Sequence, residues 1–322
     1  MDMCGDLNNL IRKDKTLGES FSGGFRGKEM SKVAILTDTN SGMTMADAEE
    51  QGIFLLPMPF MIDGSFYQDQ VDLTQELFYE KMESGADVST SQPSPGNTTA
   101  CWDEILETYD ALVYIPMSSG LSQTCETALV LAQDYNGRVE VANIRRISVT
   151  QRQAAIEAKA LADQGFSARK IREILEREGS NSSIYITVDT LKYLKKGGRV
   201  TAAGAALGTV LNLKPVLQIQ GGKLDAKAKA RGMKKARQIM LQAVREDCET
   251  RFREAYEEGN VQIQVAYTKG PQAVIDSWVQ EVAEAFPGME IHADPLSLSI
   301  ACHIGPGALA VTASQVTKEL QK

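Results

Sequence analysis

The sequence predicts an α/β protein whose first half builds a mainly parallel sheet flanked by helices and whose second half builds a mixed sheet. Three observations carry this. Short apolar runs alternate with segments of helical period through residues 30–179, the pattern of parallel strands with right-handed crossovers. The second half is less regular and contains Gly221-Gly222 between two alternating segments, a hairpin signal. At 322 residues the chain is long enough for two domains of ordinary size.

Taken in order, residues 32–42 (KVAILTDTNSG) form an apolar run ending in polar turn residues, a buried parallel strand opening into a loop. Residues 52–63 are extended but interrupted by Pro57 and Pro59, which suits an edge strand. Residues 73–84 have helical spacing. TSQPSPG (90–96) leads into a helix through 97–110, with Asn97 or Thr98 as N-cap. ALVYIPM (111–117) is a buried strand, SSGLSQT (118–124) its exit loop, and residues 125–135 the next helix. A strand at 138–144 is followed by helices over 151–165, with Gly165 at its end, and 167–179, capped by Ser167.

In the second half, residues 182–190 read as a strand and 191–200 as a short helix with a Gly-Gly exit. Residues 201–212 are rich in small side chains, and 214–231 form the hairpin. A helix is expected over 233–256, a strand at 261–270, a helix at 272–286 and a strand at 289–296. The first domain is placed at 30–179 and the second at 180–322, with residues 261–296 left open as packing with the first. Residues 1–29 mix Gly, Ser and charge without a period and lack the apolar core of a signal peptide. They read as a disordered or adventitious N-terminal extension.

The net charge of −8 argues against a general nucleic-acid binder. Five scattered cysteines with no CxxC pair, and only two histidines, argue against structural zinc and for free thiols in a reducing, cytoplasmic setting. No apolar run approaches the ~20 residues of a membrane span. There is no GxSxG elbow, GxGxxG fingerprint, Walker A loop, HExxH or EF-hand loop.

What remains is a set of hydroxyl-rich loops at strand ends, where open α/β sheets bind ligands. The hydroxyls of Ser118, Ser119 and Ser122, the backbone N–H groups near Gly120 and a helix N-terminus could hold a carboxylate or phosphate. The plain alternative is a turn with Ser122 as cap. TSQPSPG has the same anatomy, and its plain alternative is a stiff proline turn. HIGPGA (303–308) sets His303 beside backbone that a ligand can approach closely. KKGGRV (195–200) offers Arg199, and Lys223, Lys227, Lys229, Arg231, Lys234, Lys235 and Arg237 form a basic group on an acidic protein.

TDTNSG, TSQPSPG, SSGLSQT, LKYLKKGGRV followed by KPVLQI, and HIGPGALAV occur here in the order found in the DegV family, which resembles the fatty-acid-binding subunits (FakB) of bacterial fatty acid kinase. The resemblance runs from Met30 to the C-terminus. It implies two α/β domains with a long-chain fatty acid, such as palmitate, in an apolar tunnel between them, and the carboxylate at a polar mouth. Thr90, Ser91, Ser118, Ser119, Gly120 and His303 are the implied carboxylate ligands, and Arg199 matches the arginine implicated in the headgroup network or the kinase contact. No metal and no cofactor are implied. The protein would be a non-catalytic subunit presenting its fatty acid to a separate ATP-dependent kinase that makes an acyl phosphate, with transient contact at a membrane surface. Three local departures stand out: NIRRISVT (143–150) where Asp-Ser is common, Gln123 where Gly is common, and GALAV near the end. Two other functions remain open on the residues alone: an acyl hydrolase with Ser118 or Ser119 as nucleophile and His303 as base, and a phosphate- or sugar-binding regulatory module.

Overall fold

The computed structural model describes residues 31–206 and 213–321, so the expected extension over residues 1–29 lies outside the described residues. The strands are β1 (Val33–Asp38), β2 (Phe54–Leu56), β3 (Pro59–Ile62), β4 (Ser65–Gln68), β5 (Val88–Thr90), β6 (Ala111–Ile115), β7 (Val139–Val141), β8 (Ser182–Thr187), β9 (Leu213–Ile219), β10 (Asp225–Arg231), β11 (Val261–Tyr267), β12 (His292–Pro295) and β13 (Leu309–Gln315).

The predicted parallel sheet is present. Its order is β2-β1-β6-β7, and every neighbouring pair is parallel. All six residues of β1 are buried because helices cover both faces, which is why the strand reads as an unbroken apolar run. Val33 and Ile35 pack with the helices Val149–Asp163 and Ala168–Glu178. Ala34 and Leu36 face Trp102 and Tyr114 on the other side.

The second sheet has the order β10-β9-β8-β13-β11-β12 and is antiparallel except for β11 with β12. The last strand of the chain, β13, therefore sits in its interior. Val311, Ile263 and Val265 face outward onto the helices Gly232–Glu249 and Gln272–Ala285. The alternate residues, among them Ala310, Ala266 and Ile186, face the first half of the chain and pack with Leu121, Ile147 and Val149. The hairpin expected at Gly221-Gly222 joins β9 to β10.

Several expectations are corrected. The helix after TSQPSPG is Pro95–Ile105 with Ser94 as cap, its hydroxyl accepting from the Asn97 N–H at 3.1 Å. It begins earlier than Asn97 because proline's fixed φ suits the first helical position. The single helix expected over 233–256 is two, Gly232–Glu249 and Arg253–Glu257, parted where the Phe252 N–H returns to the Asp247 carbonyl at 2.9 Å. Residues 261–295, whose packing the sequence left open, supply β11 and β12 to the six-stranded sheet, in keeping with their place in the second half. The cysteines are not all free: Cys125, Cys248 and Cys302 are thiols, while Cys101 is disulfide-bonded.

A third sheet, β4-β3-β5, was not expected. It is antiparallel and turns at Asp63-Gly64, both at positive φ (48° and 79°). An Asp-Gly pair is the signature of a tight hairpin, so the signal was in the sequence. This small sheet packs through Phe60 and Ile62 against Phe78, Leu298 and Ala301, and β5 ends at Thr90.

Candidate functional site

A cavity of about 510 Å³ lies between the inner face of the six-stranded sheet and the loops that leave the parallel sheet. Its volume falls in the range of small-molecule sites. Ile184, Ile186, Ile219 and Ala310 form the sheet wall, and Met58, Met117, Leu121 and Ile147 face them. Hydroxyls, amides and three basic groups are set into this apolar surface.

One cluster positions the loops. TDTNSG, read as a loop opening from the end of a strand, is closed: Asp38, Thr39, Asn40 and Ser41 are wholly buried in a tight turn ended by Gly42 at φ 83°. The Asp38 carboxylate accepts from the Met117 N–H at 2.9 Å and from Gln151 Nε2 at 3.1 Å. Thr39 Oγ1 accepts from the Met58 N–H at 3.1 Å. The Asn40 carbonyl accepts from the Ser148 N–H at 2.9 Å, and its side-chain oxygen accepts from the Ser299 hydroxyl. Met58, Met117, Ser148 and Ser299 all line the cavity. The motif thus holds four wall positions from behind. Burial raises the Asp38 carboxyl above its usual range, opposed by these hydrogen bonds.

Six of the seven predicted residues line the cavity: Thr90, Ser91, Ser119, Gly120, Arg199 and His303. Ser118 does not. It is fully buried, and its hydroxyl accepts from the Gly120 N–H at 3.3 Å while its carbonyl accepts from the Leu121 and Ser122 N–H groups at 3.0 and 3.2 Å. It builds the turn that presents Ser119. Gly120 lies so close to the hairpin that a Cβ there would stand 2.9 Å from the Gly222 carbonyl carbon. Glycine is required by this approach between the two halves.

Thr90 Oγ1 and His303 Nε2 share a hydrogen bond of 3.0 Å, which joins β5 to the helix Leu298–Ile304. The other face of the imidazole is packed on Gly197, where any Cβ would strike Nδ1. The Arg199 guanidinium donates to the Gly197 carbonyl and to the Leu121 carbonyl at 3.4 Å, tying the GGR turn to the SSGLS loop. Burial, with the Arg199 charge second, pushes His303 down to about 4, so it is neutral near pH 7. Beside it, burial pushes the Cys302 thiol up to about 12, which removes its nucleophilic form.

Sequence reasoning missed Ser148, Ser299 and Thr312, which also line the cavity. Thr312 was reachable: the alternation in LAVTAS puts it on the face of Ala310. Ser148 was not, because its unusual backbone, φ 57° and ψ −144°, leaves no mark in residue type. Among the described residues no helix is long and apolar enough to cross a membrane.

A family model described as uncharacterised protein, DegV family, matches residues 32–316. A DegV domain-containing protein of Deinococcus radiodurans is 31% identical over 283 residues, 87% of this chain and 97% of that protein. Among solved structures, a fatty-acid-binding DegV family protein from Thermus thermophilus is 31% identical with a TM-score of 0.78, covering 88% of this chain and 100% of that one. A stearic acid-binding protein from Eubacterium ventriosum superposes with a TM-score of 0.80 at 20% identity, covering 90% and 100%, a likeness of fold.

Proposed function

The chain belongs to the DegV family, and from that premise we propose that it binds a long-chain fatty acid in the cavity with the carboxylate at the Thr90–His303 end. The observation that carries this is the pairing of a continuous apolar wall with a mouth of neutral hydrogen-bonding groups. The fatty-acid binding of the Thermus relative supports the same occupant. Each buried methylene contributes roughly 0.8 kcal/mol, so a C16 chain supplies ample driving force. A carboxylate drawn from water must be met by donors. Thr90, Ser91, Ser119, the Gly120 N–H and His303 supply them, with Arg199 adding charge. Ser118 acts behind them as the shaper of the turn.

In this reading the protein is a carrier, not an enzyme, and a separate ATP-dependent kinase phosphorylates the presented carboxylate. Lys227, Lys229 and Arg231 are exposed along the edge strand β10, a basic strip suited to an acidic partner face. The domain border is placed at 179/180, consistent with the parallel sheet lying wholly before it and the six-stranded sheet wholly after. The acyl hydrolase reading gains nothing from the geometry, since the hydroxyl that His303 meets belongs to Thr90, the hydrogen-bonded end of a strand.

Native mass spectrometry of the purified full chain tests the proposal. A co-purifying long-chain acid, displaced by added palmitate and weakened in His303→Gln, is the expected result. A chain that takes up no fatty acid and hydrolyses acyl esters instead overturns it.

A further inference from the structure

The ionisable groups that line the cavity are all bases. Among the described residues they are Arg199, Lys223 and His303, and no carboxylate lines it. Two of the three are already committed. Arg199 donates to the Gly197 and Leu121 carbonyls and so clasps the GGR turn to the SSGLS loop. His303 is hydrogen-bonded to Thr90 and, held down to about 4 by burial, is uncharged near pH 7. Lys223 is the third. Its side chain is exposed, and among the described residues no hydrogen bond or ion pair holds its ammonium.

The backbone around Lys223 is pinned at the rim of the cavity. Gly222, just before it, is the residue that approaches Gly120 of the SSGLS loop so closely that a Cβ there would stand 2.9 Å away. Leu224, just after it, is buried. The Leu224 N–H donates to the Arg199 carbonyl at 3.3 Å, and the Leu224 carbonyl accepts from the Thr201 N–H at 2.8 Å. Lys223 therefore starts from a fixed point between two segments that supply the mouth. Its charge rides on a flexible four-carbon stem. The other members of the basic group, from Lys227 to Arg237, do not line the cavity.

This placement bears on what the mouth can tell apart. Hydroxyls, a backbone N–H and a neutral imidazole donate to any oxygen, whether of an alcohol, an ester or a carboxylate. They orient a head group without reading its charge. An ion pair reads it, and bonds between charged groups are the stronger kind. Arg199 contributes a charge whose place is set by its two carbonyls. Lys223 can follow the head group.

We infer that Lys223 is a specificity-determining residue: its ammonium closes onto the head of the bound acyl anion, and this ion pair makes the cavity prefer a free fatty acid to a neutral long-chain alcohol or ester. The inference rests on the fatty-acid reading of the cavity and adds the residue that selects the ionised head.

The test uses the delipidated full chain with cis-parinaric acid as fluorescent probe. The probe's own Kd is measured for each variant, and palmitate and 1-hexadecanol are then compared by displacement. Lys223→Met should weaken palmitate about three- to tenfold and leave hexadecanol within about twofold. Lys223→Arg should restore the preference for palmitate. Raising salt from about 0.05 to 0.5 M should erode that preference in wild type and much less in Lys223→Met, since exposed charges are screened. The substitution is on an exposed side chain, and an unchanged melting temperature of the lipid-free variant checks that the hairpin is intact. If Lys223→Met leaves the palmitate-to-hexadecanol ratio at its wild-type value, the inference is overturned, whether both ligands hold or both weaken together. In that case the fatty-acid reading stands. If neither the probe nor palmitate binds the wild-type chain, the fatty-acid reading falls and takes this one with it.

Discussion

At the scale of single residues, the proposed mouth rests on the hydrogen-bonded pair His303 and Thr90. In the proposed binding mode Thr90→Val removes a donor to a buried carboxylate and His303→Gln shifts one off its position, and bonds to charged groups contribute about 1.5–3 kcal/mol. Palmitate retention should fall by roughly an order of magnitude or more in either variant, read by displacement of a fluorescent fatty acid. The titration of His303 gives a second, independent readout on the ligand-free protein. Its folded value is about 4 against an ordinary 6.5. Between those values the unfolded chain takes a proton that the folded chain refuses, so its contribution to stability is lost as pH falls from 6.5 to 4. Asp69 runs the other way. Burial raises its carboxyl to about 7 from 3.8, so its contribution is present at low pH and is lost as pH rises toward 7. Total stability therefore mixes opposing slopes, and the informative quantity is a difference. Urea melts should show wild type losing ground to His303→Gln as pH drops from 6.5 toward 4. A difference that stays flat with pH would count against a buried, neutral imidazole.

At the scale of elements, the turn after β1 and the contact between two loops set the cavity's shape. Asn40 touches no ligand in the proposed arrangement, yet its side chain accepts from Ser299 and its carbonyl from Ser148. Asn40→Ala removes the acceptor of the Ser299 hydroxyl while keeping the backbone bond from Ser148, and should cost about 1–3 kcal/mol of stability while also weakening fatty-acid retention. Gly120→Val should act through the hairpin, since the branched side chain meets the Gly222 backbone. A melting temperature unchanged from wild type would refute that close approach. These elements also show what the sequence made legible. The parallel strands, the β9–β10 hairpin and most helices were readable because apolar period and turn residues are local signals. The loops that line the cavity were also readable, since hydroxyl and glycine runs at strand ends are local signals. Three things were not. TDTNSG reads as an open loop because polar turn residues look alike whether they face solvent or bind backbone. Ser118 and Ser119 are neighbours of one type, and only the turn decides which hydroxyl faces the cavity. The strain at Ser148 comes from packing between distant segments.

At the scale of the whole molecule, the cavity is a space between two sheets that a ligand would fill. Anything that binds the folded chain alone stabilises it, by about 2.7 kcal/mol when free ligand stands at one hundred times its Kd. Delipidation should therefore lower the melting temperature by several degrees, and added palmitate should restore it. Equal melting temperatures with and without lipid would argue that the acid binds elsewhere or not at all.

The interior place of β13 has a consequence in time. Thr90 meets His303 across 213 residues of sequence, and Asn40 meets Ser299 across 259. Contacts of such separation form late, because long loops must close first. β13 belongs between β8 and β11, so a growing chain cannot complete the six-stranded sheet until residues 309–315 have been made. The parallel sheet can form before β13 is made, whereas the cavity that β13 walls cannot. In refolding, recovery of parinaric acid fluorescence should lag behind recovery of helical circular dichroism.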